Sequence, residues 1–225
     1  MVTDSTQGSA TMTGYTTVPY TIAFANELVT DPIAFEPFAG QLRLAYQPSQ
    51  PGDWIAPPRA EPWRPGVLRA RTRDLRDKPE LRGPERMRKL NTRRQWRCMD
   101  KLLCQVCGAP AMDSGSHLIP WPLTKTVFER TGLNSGRTNA PPTCWSCIPK
   151  ALEECPMLRA DFALYTVRAV ESVGVLADLY RPGIFREPIL TSHNVFISWD
   201  APRYHPRALA VAKVLELHGM KHVGP

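Results

Sequence analysis

No run in the 225-residue chain approaches the roughly eighteen consecutive apolar residues that a membrane-spanning helix needs, because proline, arginine or aspartate interrupts each apolar stretch. A membrane-spanning role is therefore not expected. The first fifteen residues, Met1 to Tyr15, are rich in threonine, serine and glycine and carry Asp4. They lack a basic segment followed by an apolar one. Without a secretory signal the expected location is the cytoplasm, where thiols stay reduced. The six cysteines are then better suited to a metal than to disulfides. Internal repeats are also absent, which excludes solenoid architectures.

Acidic residues are scarce in one place only. Residues 59 to 101 hold 15 arginines and lysines against 6 aspartates and glutamates, a net of +9. The whole chain carries +7, so the remainder sums to −2. Positive charge concentrated in this way is the footprint of a polyanionic partner, with nucleic acid first and an anionic membrane surface second. Arginine outnumbers lysine 21 to 7 and proline reaches 23, a bias that a GC-rich genome also produces.

Four regions are expected along the chain. Residues 1 to 14 have the composition of a disordered tail. Residues 15 to 83 hold strands at Tyr15 to Phe24, Gln41 to Tyr46 and Val67 to Leu75, together with a linker or wrapping arm. In that arm Pro48, Pro51, Pro57, Pro58, Pro62 and Pro65 exclude helix interior and central strand. Residues 84 to 156 begin with a helix opened by Gly83-Pro84 and running to about Leu103. Arg86, Lys89, Arg93, Arg97 and Lys101 recur there at spacings of three and four, so they line one helix face. Trp96, Met99, Leu102 and Leu103 fall roughly opposite. Residues 157 to 225 form a small α+β region with strands at Phe162 to Val170 and Val195 to Trp199. It ends in a helix whose apolar face is Ala208, Val211, Ala212 and Leu215, with Gly219 at its C-cap.

Cys104-Gln-Val-Cys107-Gly108 and Cys144-Trp-Ser-Cys147 are two C-x2-C units. Two intervening residues let the chain turn so that both thiolates face one ion, and Gly108 suits the positive-φ position of such a turn. Two such knuckles complete a tetrahedron, so Cys104, Cys107, Cys144 and Cys147 are the expected ligands of a structural Zn²⁺. Cys98 and Cys155 are expected to be small buried apolar groups.

The stretch from Cys104 to Lys150 resembles the treble-clef modules of HNH endonucleases. It carries Ser116-His117-Leu-Ile-Pro120 and Asn139-Ala-Pro-Pro-Thr-Cys144-Trp-Ser-Cys147, in the order that family uses. The resemblance implies that His117 is the general base activating water and that Asn139 orients it. A catalytic Mg²⁺ or Mn²⁺ would then be required. The family's usual second histidine after the last knuckle cysteine is replaced by Ile148, with Asp113 and Ser116 the nearest substitutes. The chain is also similar to small bacterial zinc-knuckle proteins with a basic helix before the first C-x2-C and a Pro-Pro-x-Cys second knuckle, a resemblance that implies no activity. Trp96, Trp121 and Trp145 either stack on bases or cover the zinc core.

The expected fold class is therefore α+β: a small treble-clef-like zinc module flanked by short strands and a C-terminal helix. The leading function is a zinc-stabilised nucleic-acid-binding protein. A divergent metal-dependent nuclease and a zinc-stiffened scaffold for an acidic protein partner stay open beside it.

Overall fold

The computed structural model describes residues 17–58 and 66–224. The expected tail at 1 to 14 and the prolines Pro62 and Pro65 lie outside the described residues.

In chain order the elements are β1 (Ile22–Phe24), β2 (Ile33–Phe38), β3 (Gln41–Tyr46), β4 (Trp54–Ile55), β5 (Val67–Arg69), α1 (Pro79–Arg82), β6 (Glu85–Leu90) and α2 (Thr92–Lys101). The second half continues with β7 (Ile119–Leu123), β8 (Phe128–Gly132), β9 (Ser135–Thr138), α3 (Ile148–Glu154), α4 (Pro156–Ala160) and β10 (Ala163–Val167). It closes with β11 (Ala169–Pro182), β12 (Pro188–Ser198), β13 (Ala208–His218) and β14 (Lys221–Gly224). Strand occupies 44% of the chain and helix 17%, so the fold is mainly β and the α+β expectation is corrected.

The centre is a seven-stranded mixed sheet in the order β12-β11-β13-β5-β4, to which β9 adds along β13 and β8 along β9. The β13–β5 pairing is parallel, and the other pairings in this sheet are antiparallel. Three smaller sheets surround it: β14-β10-β7, β1-β6 and β2-β3.

The expected C-terminal helix is β13. Ala208, Ala210, Ala212 and Val214 are buried with a period of two, and then Leu215 and Leu217 are buried instead. Side chains two apart share a sheet face, so this change of parity moves burial to the opposite face. Ala208 and Ala210 pack with Val67, Trp96, Val175 and Ile197, while Leu215 and Leu217 pack with Met99, Ile119, Trp121 and Val167. One strand thus serves two cores. Gly219, expected as a helix C-cap, instead takes φ +62 at the turn after the strand.

The long basic helix is also corrected. Residues 85–90 are strand β6, paired antiparallel with β1, and the helix begins only after Asn91. Asn91 caps it, its side chain accepting from the Arg94 N–H at 3.1 Å. The prolines Pro51 and Pro57 flank the short strand β4, which pairs with β5, so the arm is part of the central sheet at that point.

A buried polar network anchors α2. Arg94 and Glu27 are fully buried side chains, joined at 2.5 and 2.6 Å through both guanidinium nitrogens and both carboxylate oxygens. Arg94 also donates to Asp74 and to the carbonyls of Tyr20 and Ile22. A guanidinium satisfied on every side can be buried without the penalty of an unpaired charge. Gln95, buried beside it, acts as a strand neighbour would: its amide donates to Lys213 O at 3.0 Å and its Oε1 accepts from Lys213 N–H at 2.9 Å.

Candidate metal centre and basic face

The first knuckle follows α2 directly. Leu102 takes the left-handed conformation at φ 51 and ψ 47, ending the helix and turning the chain. The Gly108 N–H then donates to Cys104 O at 2.8 Å, and Cys104 N–H donates to Ala109 O at 2.7 Å. Gly108 sits at φ +78, and a Cβ there would meet the Tyr20 ring at 2.9 Å, so both torsion and space require glycine. The second knuckle is a single tight turn, Cys147 N–H to Cys144 O at 2.9 Å, which leads into α3. Gln105 joins the two knuckles: its N–H donates to Pro142 O at 2.8 Å and its amide to Thr143 Oγ1 at 3.0 Å.

These turns bring the Sγ atoms of Cys104, Cys107, Cys144 and Cys147 within 4.8 Å of one another. Zinc–thiolate bonds of about 2.3 Å at tetrahedral angles place sulfurs about 3.8 Å apart. Cys107 and Cys144 stand at 3.8 Å, matching that edge and far beyond the ~2.05 Å of a disulfide. The donor set is four soft thiols with backbone support, including Val106 N–H to Cys104 Sγ at 3.4 Å. Such a set suits zinc, and four protein ligands leave no coordination position for water or substrate.

The thiols differ in acidity. Burial pushes Cys104 up to about 11, and burial together with the neighbouring thiols pushes Cys147 up as well. Burial acts in the same direction on Cys144, but hydrogen bonds from Ser146 and the neighbouring cysteines outweigh it and bring the group down to about 7. Cys98 stands outside the cluster: it is buried with its thiol 4.0 Å from Cys104 O, and burial pushes it up to about 12. Cys155 is half-buried and also outside the four-cysteine group.

His117 lies in an exposed turn at φ +56, with its backbone N–H donating to Asp113 O. The Asp113 carboxylate is occupied by the Ser116 hydroxyl and N–H at 2.7 and 2.8 Å. Asn139 is half-buried, and its carbonyl accepts from Gln95 Nε2 at 2.9 Å. Among the described residues no hydrogen bond joins the His117 and Asn139 side chains. Ile148 is buried, 6% exposed, at the start of α3. Trp121 is wholly buried and donates to Ala140 O, and Trp96 is 5% exposed, so neither ring is open to a base. Trp145 remains accessible.

Comparison with protein families, curated proteins and solved structures returned no match to this chain. Its chemistry has to be read from the arrangement itself.

The five basic residues expected on one helix divide between two elements. Arg86 and Lys89 belong to β6, while Arg93, Arg97 and Lys101 share the outer face of α2 at spacings of four. All five are exposed, as is Arg88. Among the described residues none of these six forms an ion pair. Other arginines of the same basic segment are consumed internally: Arg94 as above, Arg71 by Asp31 and Asp53, and Arg76 by the carbonyls of Val18 and Pro19. Charge counting along the sequence could not separate the two groups. Asn91, three residues before Arg94, was a local signal for the helix start but not for the side that Arg94 faces.

Proposed function

We propose that the chain is a zinc-stabilised nucleic-acid-binding protein, with the metal as a structural brace and the exposed basic side chains of β6 and α2 as the contact surface. The observation that carries this reading is the division of the basic segment. Evenly solvated charge would leave no pattern, whereas here six exposed cations without ion-pair partners sit on two consecutive elements. Zn²⁺ held by Cys104, Cys107, Cys144 and Cys147 would fix the end of α2 relative to α3 and the central sheet. Rigid presentation of exposed, unpaired cations favours phosphate contacts that are independent of sequence.

The test is fluorescence anisotropy of the zinc-loaded protein with a labelled duplex and a labelled single strand across a salt series. Each phosphate contact contributes about 0.9 to the log-log salt slope on duplex DNA, so Arg97→Gln with Lys101→Gln reduces it by about 1.8. Absence of affinity at low salt sinks the proposal. The same preparation separates the other readings. Mg²⁺-dependent plasmid cleavage abolished by His117→Ala would indicate the nuclease. A protein partner retained after nuclease treatment would indicate the scaffold.

A further inference from the structure

A cleft of about 410 Å³ opens between the turn at Gln50 to Asp53, the extended run Arg69 to Arg73 and the first turn of α2. Arg69, Arg71, Arg73 and Arg93 line it, against two carboxylates, Asp31 and Asp53. Both carboxylates are already engaged. Arg71 donates to Asp31 at 2.6 Å and to the two oxygens of Asp53 at 3.0 and 2.7 Å, and Asp53 also accepts the Gln50 N–H at 2.7 Å. Arg71 offsets one of these two negative charges, and four arginines against two carboxylates leave the cleft a net charge of +2.

The three arginines are placed by short-range geometry. Arg69 ends β5, and Arg71 and Arg73 follow it on either side of the Thr72–Leu28 bridge, with all three lining the cleft. Arg69 is fixed at the sheet, its N–H donating to Asp53 O at 2.8 Å, and Arg93 is fixed by its N–H to Thr72 Oγ1 at 3.2 Å. Among the described residues none of the three forms an ion pair, and the Arg69 guanidinium has no hydrogen-bond partner. Arg73 makes only a 3.5 Å contact to Asn26 O. Arg69 is half-buried, and burial together with the nearby charge of Arg93 disfavours its protonated form. A partly desolvated cation held beside another cation is unfavourable unless an anion completes the arrangement. Guanidinium groups are planar donors that match phosphate oxygens two at a time, and a tetrahedral dianion can use several of them together.

We propose that this cleft binds a phosphate monoester group through Arg69, Arg73 and Arg93. The group arrives either as the 5′ end of a nucleic-acid strand or as a free nucleotide. In the first form the inference rests on the nucleic-acid reading; in the second it does not.

The experiment uses the full zinc-loaded chain. Titration calorimetry compares adenosine 5′-monophosphate, inorganic phosphate and adenosine. Anisotropy compares one single-stranded oligonucleotide carrying a 5′-phosphate or a 5′-hydroxyl. The expected result is at least tenfold tighter binding of the phosphorylated member in one of the two pairs. Arg69→Gln abolishes that preference, and Arg97→Gln preserves it while weakening the oligonucleotide overall. Arg93→Gln, on an exposed helix position, gives the same loss of preference if Arg69→Gln fails to fold. A preference confined to the oligonucleotide identifies a strand end, and one confined to the nucleotide identifies a small ligand. Oligonucleotide binding with no 5′ preference, and no nucleotide binding, overturns the cleft and leaves the nucleic-acid reading standing. Nucleotide binding lost in Arg69→Gln, with no oligonucleotide binding, does the reverse.

Discussion

Replacing Arg94 with methionine tests the division of the basic segment into buried and displayed halves. Methionine keeps much of the length and removes the charge. The substitution deletes five hydrogen bonds, to Tyr20 O, Ile22 O, Asp74 and both oxygens of Glu27. Glu27 is the costly remnant. Its side chain has no solvent exposure, and it keeps only the N–H groups of Phe24 and Leu75 and the Asn91 amide. Breaking a buried pair on one side costs about 3–5 kcal/mol. Asp74 is 35% exposed and adds at most about 1 kcal/mol after screening. A total loss of about 4 kcal/mol is a large part of the roughly 5–15 kcal/mol that holds a domain folded. Urea unfolding followed by tryptophan fluorescence reads it as a fall in midpoint at unchanged slope. The fully buried guanidinium cannot reach a phosphate, so the salt slope for nucleic acid stays as in the unmodified protein. A loss below about 1 kcal/mol, or a reduced salt slope, would refute the assignment of Arg94 to the interior. The pH dependence has a definite sign. Burial opposes the Glu27 charge, but its hydrogen bonds with Arg94 and its backbone donors outweigh burial and hold the carboxyl below its ordinary value. Its contribution is therefore complete above the unfolded value of about 4.3 and is lost as pH falls through the depressed folded value. Glu27→Gln flattens that part of the acid limb.

Three further outcomes follow from the metal centre and the sheet. Zinc affinity rises with pH, and because Cys144 ionises near 7 while Cys104 and Cys147 remain protonated, log Kd changes by about one more unit per pH unit below pH 7 than above it; competition with a chromogenic chelator measures this. Elemental analysis finds zinc retained in Cys98→Ala and lost in Cys107→Ala, and the opposite pattern would move Cys98 into the ligand set. Gly174→Ala places a Cβ 2.2 Å from Ile197 O and 2.8 Å from the Phe196 ring at the β11–β12 pairing, for a loss of about 1–3 kcal/mol in the urea midpoint; an unchanged midpoint would show that the two strands can separate there at little cost.

The four thiols were legible because each knuckle is local: two residues between cysteines and a glycine after the first pair dictate the turn whatever surrounds it. The sheet was not legible because β13 does not alternate in the simple way of a strand with one buried face. Its alanines at 208 and 210 face one core and its leucines at 215 and 217 face another, so buried positions 208, 212 and 215 happen to fall at helical intervals. The basic helix misled for a related reason. Arg86 and Lys89 lie in a strand paired on one side with the three-residue β1, where helical spacing carries no meaning. Asn91 was the local sign of the true start. The cleft arginines also had a visible period, Arg69, Arg71 and Arg73 at every second residue, but their partners Asp31 and Asp53 are distant in sequence.

The position of β13 has a consequence for how the chain acquires its structure. Its three sheet neighbours, β5, β9 and β11, are all translated before it, and β5 precedes it by well over a hundred residues. None of these neighbours bonds to another, so until residues 208–218 leave the ribosome they have no common partner. Such long-range pairing makes assembly slow and leaves unpaired strand edges open to misassociation in the interval. A chain that stops before residue 208 would therefore depend on chaperones even with its cysteines metal-bound, whereas emergence of residues 208–218 from the ribosome lets the central sheet close.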